Sequence, residues 1–207
     1  MSHTNRELVE FYLNYKLSHS NFLTSLRASA DAWQSPRISR RDRSGASPSS
    51  DAGRRAVKAV LRKATDDFEK KLTRACGDLS SYLPSKISHQ NFNNTMDQIF
   101  EGNVHWGVVI GLFVVGGAMC VQCVRNNHEE LVCHIADWMT AYLDEHLEPW
   151  IQRQGGWEDF TRRYETVDER SQFERGAKLC FLTLVLLVGG FVIFRKYNVF
   201  HRLLRFL

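Results

Sequence analysis

Alternation of apolar and polar residues, the mark of a half-buried β-strand, is missing from all 207 residues, and no internal repeat is present. Helices are then the regular element left to build the fold. A disulfide framework is also missing, because the five cysteines (Cys76, Cys120, Cys123, Cys133 and Cys180) are odd in number and sit on segments that read as helices. The first twenty residues mix charge, polarity and aromatics without the apolar core of a secretory signal, so the body is expected in the reducing cytosol. No nucleophile and base constellation, phosphate loop or metal set is found, which argues against an enzyme and against any cofactor. Cys120-x-x-Cys123 lacks two further zinc ligands at matching spacing and reads as a buried pair of small hydrophobes. His128 and His134 join no ligand pattern and read as surface or capping residues. The net charge of +4 is matched by residues 34–55 alone, with six arginines against two aspartates. A near-neutral remainder gives nucleic acid nothing to bind.

What the chain does contain is apolar surface: 43% of it is hydrophobic and 24% charged, enough for one buried core with appendages. Residues 106–121 carry no charge and include Gly107, Gly111, Gly116 and Gly117. A helix greasy on every side must lie inside a bundle or inside lipid, so other helices are needed to wrap it.

Those neighbours are legible. Thr4 and Glu7 form a capping box for a helix over 5–17, whose Leu8, Phe11, Tyr12 and Tyr15 share a face. Residues 33–55, rich in serine, arginine, proline and glycine, read as a disordered loop. Val57, Leu61, Ala64, Phe68, Leu72, Ala75 and Leu79 then mark an amphipathic helix with Arg62, Lys63, Asp67, Lys70, Lys71 and Arg74 on its opposite face. A shorter helix is expected over 90–100, with Phe92, Met96, Ile99 and Phe100 inward. Another carries Leu131, Ile135, Trp138, Met139, Tyr142 and Leu147 and is expected to end near Pro149. Gly155 and Gly156 supply a stop for a short segment centred on Trp150, after which Glu158 and Asp159 favour a new helix start at Trp157.

Residues 179–194 are uncharged and bracketed by Lys178, Arg195 and Lys196. As a helix they reach about 24 Å, short of the roughly 30 Å hydrocarbon core, and snorkelling basic residues extend that reach. Lying beyond a charged stretch and near the end of the chain, this segment reads as a tail anchor, with the basic residues after it on the far membrane surface.

In order along the chain, four groups of residues carry a resemblance. They are Asn5-Arg6-Glu7-Leu8-Val9 with Tyr15-Lys16-Leu17-Ser18; Leu61 with Asp66 and Phe68; Val104-His105-Trp106-Gly107 through Gly116-Gly117-Ala118; and Pro149-Trp150-Ile151-Gln152 with Gly155-Gly156-Trp157 and Phe160. They resemble the fourth, third, first and second homology motifs of the Bcl-2 family, most closely its anti-apoptotic, Bcl-xL-like branch. The resemblance implies an all-α globule around the central helix, with an N-terminal helix region over 1–32, the loop over 33–55 and a helical core over 56–166. A linker over 167–178, the anchor over 179–194 and a basic tail over 195–207 would follow.

It further implies an apolar groove that receives the killer helix of a pro-apoptotic partner, read by apolar anchors at helical spacing. Matched position by position, Phe68, Leu72, Cys76, Leu79, Ile99, Gly107, Val108 and Phe113 would line it, with Tyr164 at one end and His105 beside it. Gly107 would let the ligand helix approach the backbone closely. The implied partners are Bax-like and Bak-like effectors, killer-helix-only proteins and the membrane. The implied role is prevention of permeabilisation at the mitochondrial outer membrane, with the endoplasmic reticulum and homodimerisation left open. The rival role is a pore-forming effector of the same fold.

Three positions depart from that pattern. Relatives carry asparagine at His105 and arginine at Val108, the arginine pairing with an aspartate of the partner, so the chain is expected to use protonated His105 or Arg163 as a substitute cation. Thr65 stands where the motif prefers a smaller residue, which suits that helix to lining its own groove rather than entering another's.

Overall fold

The structure is a computed structural model and describes residues 5–19, 48–77, 79, 83–84, 86–99 and 104–165. Among these are helices α1 (Asn5–His19), α2 (Pro48–Cys76), α3 (His89–Ile99), α4 (Trp106–Arg125), α5 (Leu131–Tyr142), α6 (Glu148–Arg153) and α7 (Gly156–Glu165). A π-helical turn, Leu143–Leu147, joins α5 to α6. Thr4, the expected linker and the expected anchor lie outside the described residues, as do residues 20–47 of the N-terminal region and loop.

α4 is the axle. Every residue from 106 to 121 is buried, along with Cys123 and Val124, and the helix continues to Arg125 because Gln122 and Arg125 can reach its rim. α1, α2, α3 and α5 pack directly on it. Two glycines set how closely. A Cβ on Gly117 would sit 2.9 Å from the ring of Tyr12 on α1, and one on Gly116 would overlap the thioether of Met139 on α5. Tyr12 then meets Phe113 edge-on at 5.5 Å between ring centres, a geometry that aromatic quadrupoles favour.

α2 begins at Pro48, within the stretch expected to be loop. Proline suits the first turn of a helix, and Asp51 lies within ion-pair reach of both Arg54 and Arg55 on the next turn. α2 is fastened to α1 by Lys58 with Glu7 (2.7 Å), Tyr15 with Asp66 (2.7 Å) and Lys16 with Glu69. The Lys58 ammonium also lies over Phe11 and the Arg62 guanidinium over Tyr15. Burial, together with the bond to Asp66, pushes the Tyr15 phenol up to about 12.

The helical path does not end at Pro149. Proline has no N–H for the carbonyl one turn back and its ring crowds that carbonyl. The chain accommodates this by widening into the π turn just before it, so that Leu143 and Leu147 stay in the core while Asp144, Glu145 and His146 face water. This corrects the expected stop. The turn is held by Asn5, whose Nδ2 donates to Asp144 (2.7 Å) and Glu148 (2.8 Å) while its Oδ1 accepts from Trp157 Nε1 (2.9 Å). One side chain at the start of α1 thus ties the π turn, α6 and α7 together. The turn after α4 places Asn127 in the left-handed region (φ 57°), which asparagine tolerates, and Gly155 (φ 99°) and Gly156 (φ 74°) make the turn into α7.

Candidate partner-helix groove

α2 packs on α1, α4 and α7, whereas α3 rests on α4 and α5, so the seam between α2 and α3 runs over α4. Six of the residues named from the sequence are in the hydrophobic core. Phe68, Leu72 and Leu79 come from α2 and the residues after it, Val108 and Phe113 from α4 and Tyr164 from α7, and all six are buried members of one hydrophobic cluster. Gly107 is buried and His105 half-buried. The side chains of Cys76 and Ile99 lie outside the described residues, and the inward face of α3 is represented by Phe92 and Met96, both fully buried.

The helices explain the gathering. On α2 the four-residue steps Ala64, Phe68 and Leu72 place one stripe against α4, and the charged face is turned away. Thr65 is buried within that stripe, its hydroxyl donating to the carbonyls of Leu61 (2.9 Å) and Arg62 (2.8 Å). Asp66 is held by Tyr15, so the stretch resembling the third homology motif is packed into its own fold.

At the α7 end an aromatic row runs without a break. Trp106 lies 5.1 Å from Trp150, 5.6 Å from Trp157 and 4.9 Å from Phe160, which in turn neighbours Tyr164. Tyr164 donates its hydroxyl to Asp67 at 2.9 Å, with the Lys63 ammonium over its ring. This latch between α2 and α7 was not foreseen from the sequence, because only the fold brings residues 67 and 164 together. Trp106 and Trp157 sit inside the row, as expected of residues that hold the fold.

The electrostatics of the chain by itself do not favour the substitute-cation expectation. Burial pushes the His105 imidazole below its ordinary value, disfavouring the protonated form. Arg163 and Arg162 both bond the carboxyl of Asp159, whose side chain is 3% exposed. Burial alone would raise the Asp159 pKa, but the two guanidinium groups outweigh it and hold the carboxyl below its ordinary range. Val108 is 3% exposed, and the Nδ1 of His105 and the Nε1 of Trp106 are buried without a hydrogen-bond partner among the described residues. Cys120 and Cys123 are buried in the core, where desolvation pushes both thiols up, Cys123 to about 11.

A family model described as apoptosis regulator proteins, Bcl-2 family, matches residues 61–157, and one for Bcl-2 homology region 4 matches residues 1–18. Bcl-2-like protein 1 of Sus scrofa is 34% identical over 225 residues, spanning 91% of this chain and 95% of the relative. Bcl-2-like protein 1 of Homo sapiens is 34% identical over 79% of this chain and 84% of its own length. Apoptosis regulator Bcl-2 of Canis lupus familiaris is 38% identical over 110 residues, 52% of this chain and 47% of the relative.

Proposed function

The chain belongs to the Bcl-2 family, as an apoptosis regulator and not an enzyme, and on that premise we propose that it is a survival protein that captures the amphipathic killer helices of pro-apoptotic relatives. The seam between α2 and α3 is the docking groove. Gly107 and Val108 would form its floor and Phe68, Leu72 and Leu79 its α2 wall, with Tyr164 and His105 at one end; Cys76 and Ile99, whose side chains lie outside the described residues, and Phe113, which packs on Tyr12 of α1, are lining residues on the strength of the resemblance alone. An amphipathic helix entering there would exchange its own apolar stripe for the packing that now covers these residues.

The observation that carries the survival role is the condition of the killer-like stretch. Leu61 and Thr65 are buried and Asp66 is bonded to Tyr15 of α1, most of which the homology region 4 match covers. A protein that kills by offering this stretch to another groove would first have to strip α1 away. The segment 179–194 anchors the body at the mitochondrial outer membrane, and a chain shortened after Lys178 is expected in the soluble fraction.

The test uses isolated mitochondria. Added chain should suppress cytochrome c release triggered by a killer-helix peptide. Release caused by the pure chain alone would instead favour the pore-forming role, for which α4 is long and apolar enough to cross a membrane although almost wholly buried here.

A further inference from the structure

The outer face of α2 carries a row of cations. Arg62, Lys63, Lys70 and Arg74 fall at helical spacing opposite the buried stripe of Leu61, Ala64, Phe68 and Leu72, and all four are exposed. On a straight helix the row runs about 18 Å. Its edges rest on aromatic rings, with the Arg62 guanidinium over Tyr15 of α1 and the Lys63 ammonium over Tyr164 of α7, contacts that position a cation without cancelling its charge.

α2 also carries carboxylates, yet the fold draws them toward its flanks. Asp66 accepts a bond from Tyr15 of α1 (2.7 Å), Asp67 accepts one from Tyr164 of α7 (2.9 Å), and Glu69 is paired with Lys16 of α1. All three are half-buried, so the two signs are sorted by depth and the cations stand outermost. A plane of negative charge approaching α2 meets the ammonium and guanidinium groups first, and a Debye length of about 10 Å at 0.1 M salt weights the nearest charges most. No apolar side chain is exposed between Arg62 and Arg74. A protein partner would find no anchor for a buried hot spot there, whereas a charged lipid surface requires none.

Resting on the tail-anchor reading above, we propose that this face docks on an anionic lipid surface, so that the anchored body lies with α2 against the headgroups. The anchor keeps the body within reach of the bilayer, and each cation brought to the surface favours this orientation by roughly fivefold.

The experiment adds the full chain to preformed vesicles of phosphatidylcholine, alone or with about one-third phosphatidylserine. Flotation reports anchoring, and an uncharged acetylating reagent followed by mass mapping reads the accessibility of the Lys63 and Lys70 amines. Both amines are expected to react about fivefold more slowly on the serine-containing vesicles than on the neutral ones, and about 0.5 M salt should abolish the difference. The double variant Arg62→Gln with Arg74→Gln should lose most of that protection while still floating. Flotation with both vesicles and equal labelling on the two would overturn this inference and leave the anchor standing. Flotation with neither would overturn the anchor and this inference with it. Equal protection by soluble polyglutamate, without vesicles, would overturn the lipid assignment in favour of an acidic polypeptide.

Discussion

Removing the Asn5 side chain beyond Cβ tests the claim that one residue at the start of α1 holds the far end of the chain. Asn5 is 5% exposed and uses both amide protons and its carbonyl. In Asn5→Ala, Asp144 is exposed and Glu148 half-buried, so water can replace much of what the amide gave them, and their two bonds together contribute about 1–2 kcal/mol. The indole N–H of Trp157 has no such recourse, since the residue is 3% exposed, and a buried donor left without an acceptor costs about 1–3 kcal/mol. Partial overlap of these effects gives a loss of about 2–4 kcal/mol. Urea unfolding followed by tryptophan fluorescence reads the change as a lower midpoint at constant slope. A double-mutant cycle with Trp157→Phe isolates the indole bond, and a coupling of about 1 kcal/mol or more is expected. A loss below about 0.5 kcal/mol with no coupling would refute the reasoning, because both donor and acceptor would then be satisfied some other way.

Other expectations follow from particular contacts. Gly117→Val should destabilise by about 2–3 kcal/mol in thermal melts, since the added carbons meet the rigid Tyr12 ring, while Gly116→Ala should cost less because the Met139 thioether can swing aside and alanine favours the helix. Asp159→Asn should cost about 1–2 kcal/mol at neutral pH. Its folded pKa is lowered below the ordinary 3.8, so the ionised carboxylate contributes stability above that value and loses it as pH falls through the folded pKa. The difference between Asp159→Asn and the unaltered chain should therefore shrink in acid, and a pH-independent difference would contradict the ion-pair assignment. Iodoacetamide should modify half-buried Cys133 before Cys120 and Cys123 in the native state, all three more slowly than a free thiol because burial raises each pKa; mass mapping gives the order.

Much of this architecture was legible in advance for a simple reason: an uncharged run such as 106–121 has one physical resting place, and three- and four-residue apolar steps name the helices that cover it. Burial of Phe68, Leu72, Val108 and Phe113 in one core follows from those two patterns. Other features depend on distances in space. Asn5 reads as the opening of a helix, yet its partners lie 139, 143 and 152 residues away. Pro149 reads as a terminator, and only the packing of Leu143 and Leu147 makes a widened turn preferable to a break. His105 reads as a titratable neighbour of Val108 by spacing, but desolvation pushes its pKa down, which spacing does not report. Asp51 illustrates the converse: its ion-pair spacing to Arg54 and Arg55 was visible in a stretch whose composition outweighed it.

The central claim is that the seam over α4 takes up a foreign amphipathic helix. Anisotropy titration of a labelled killer-helix peptide against the full chain, with and without a bulky residue at Gly107, tests it most directly. Saturable binding that is lost in Gly107→Trp while the helical circular dichroism signal is kept is the predicted result; binding indifferent to Gly107, or no binding by the folded chain, would contradict it.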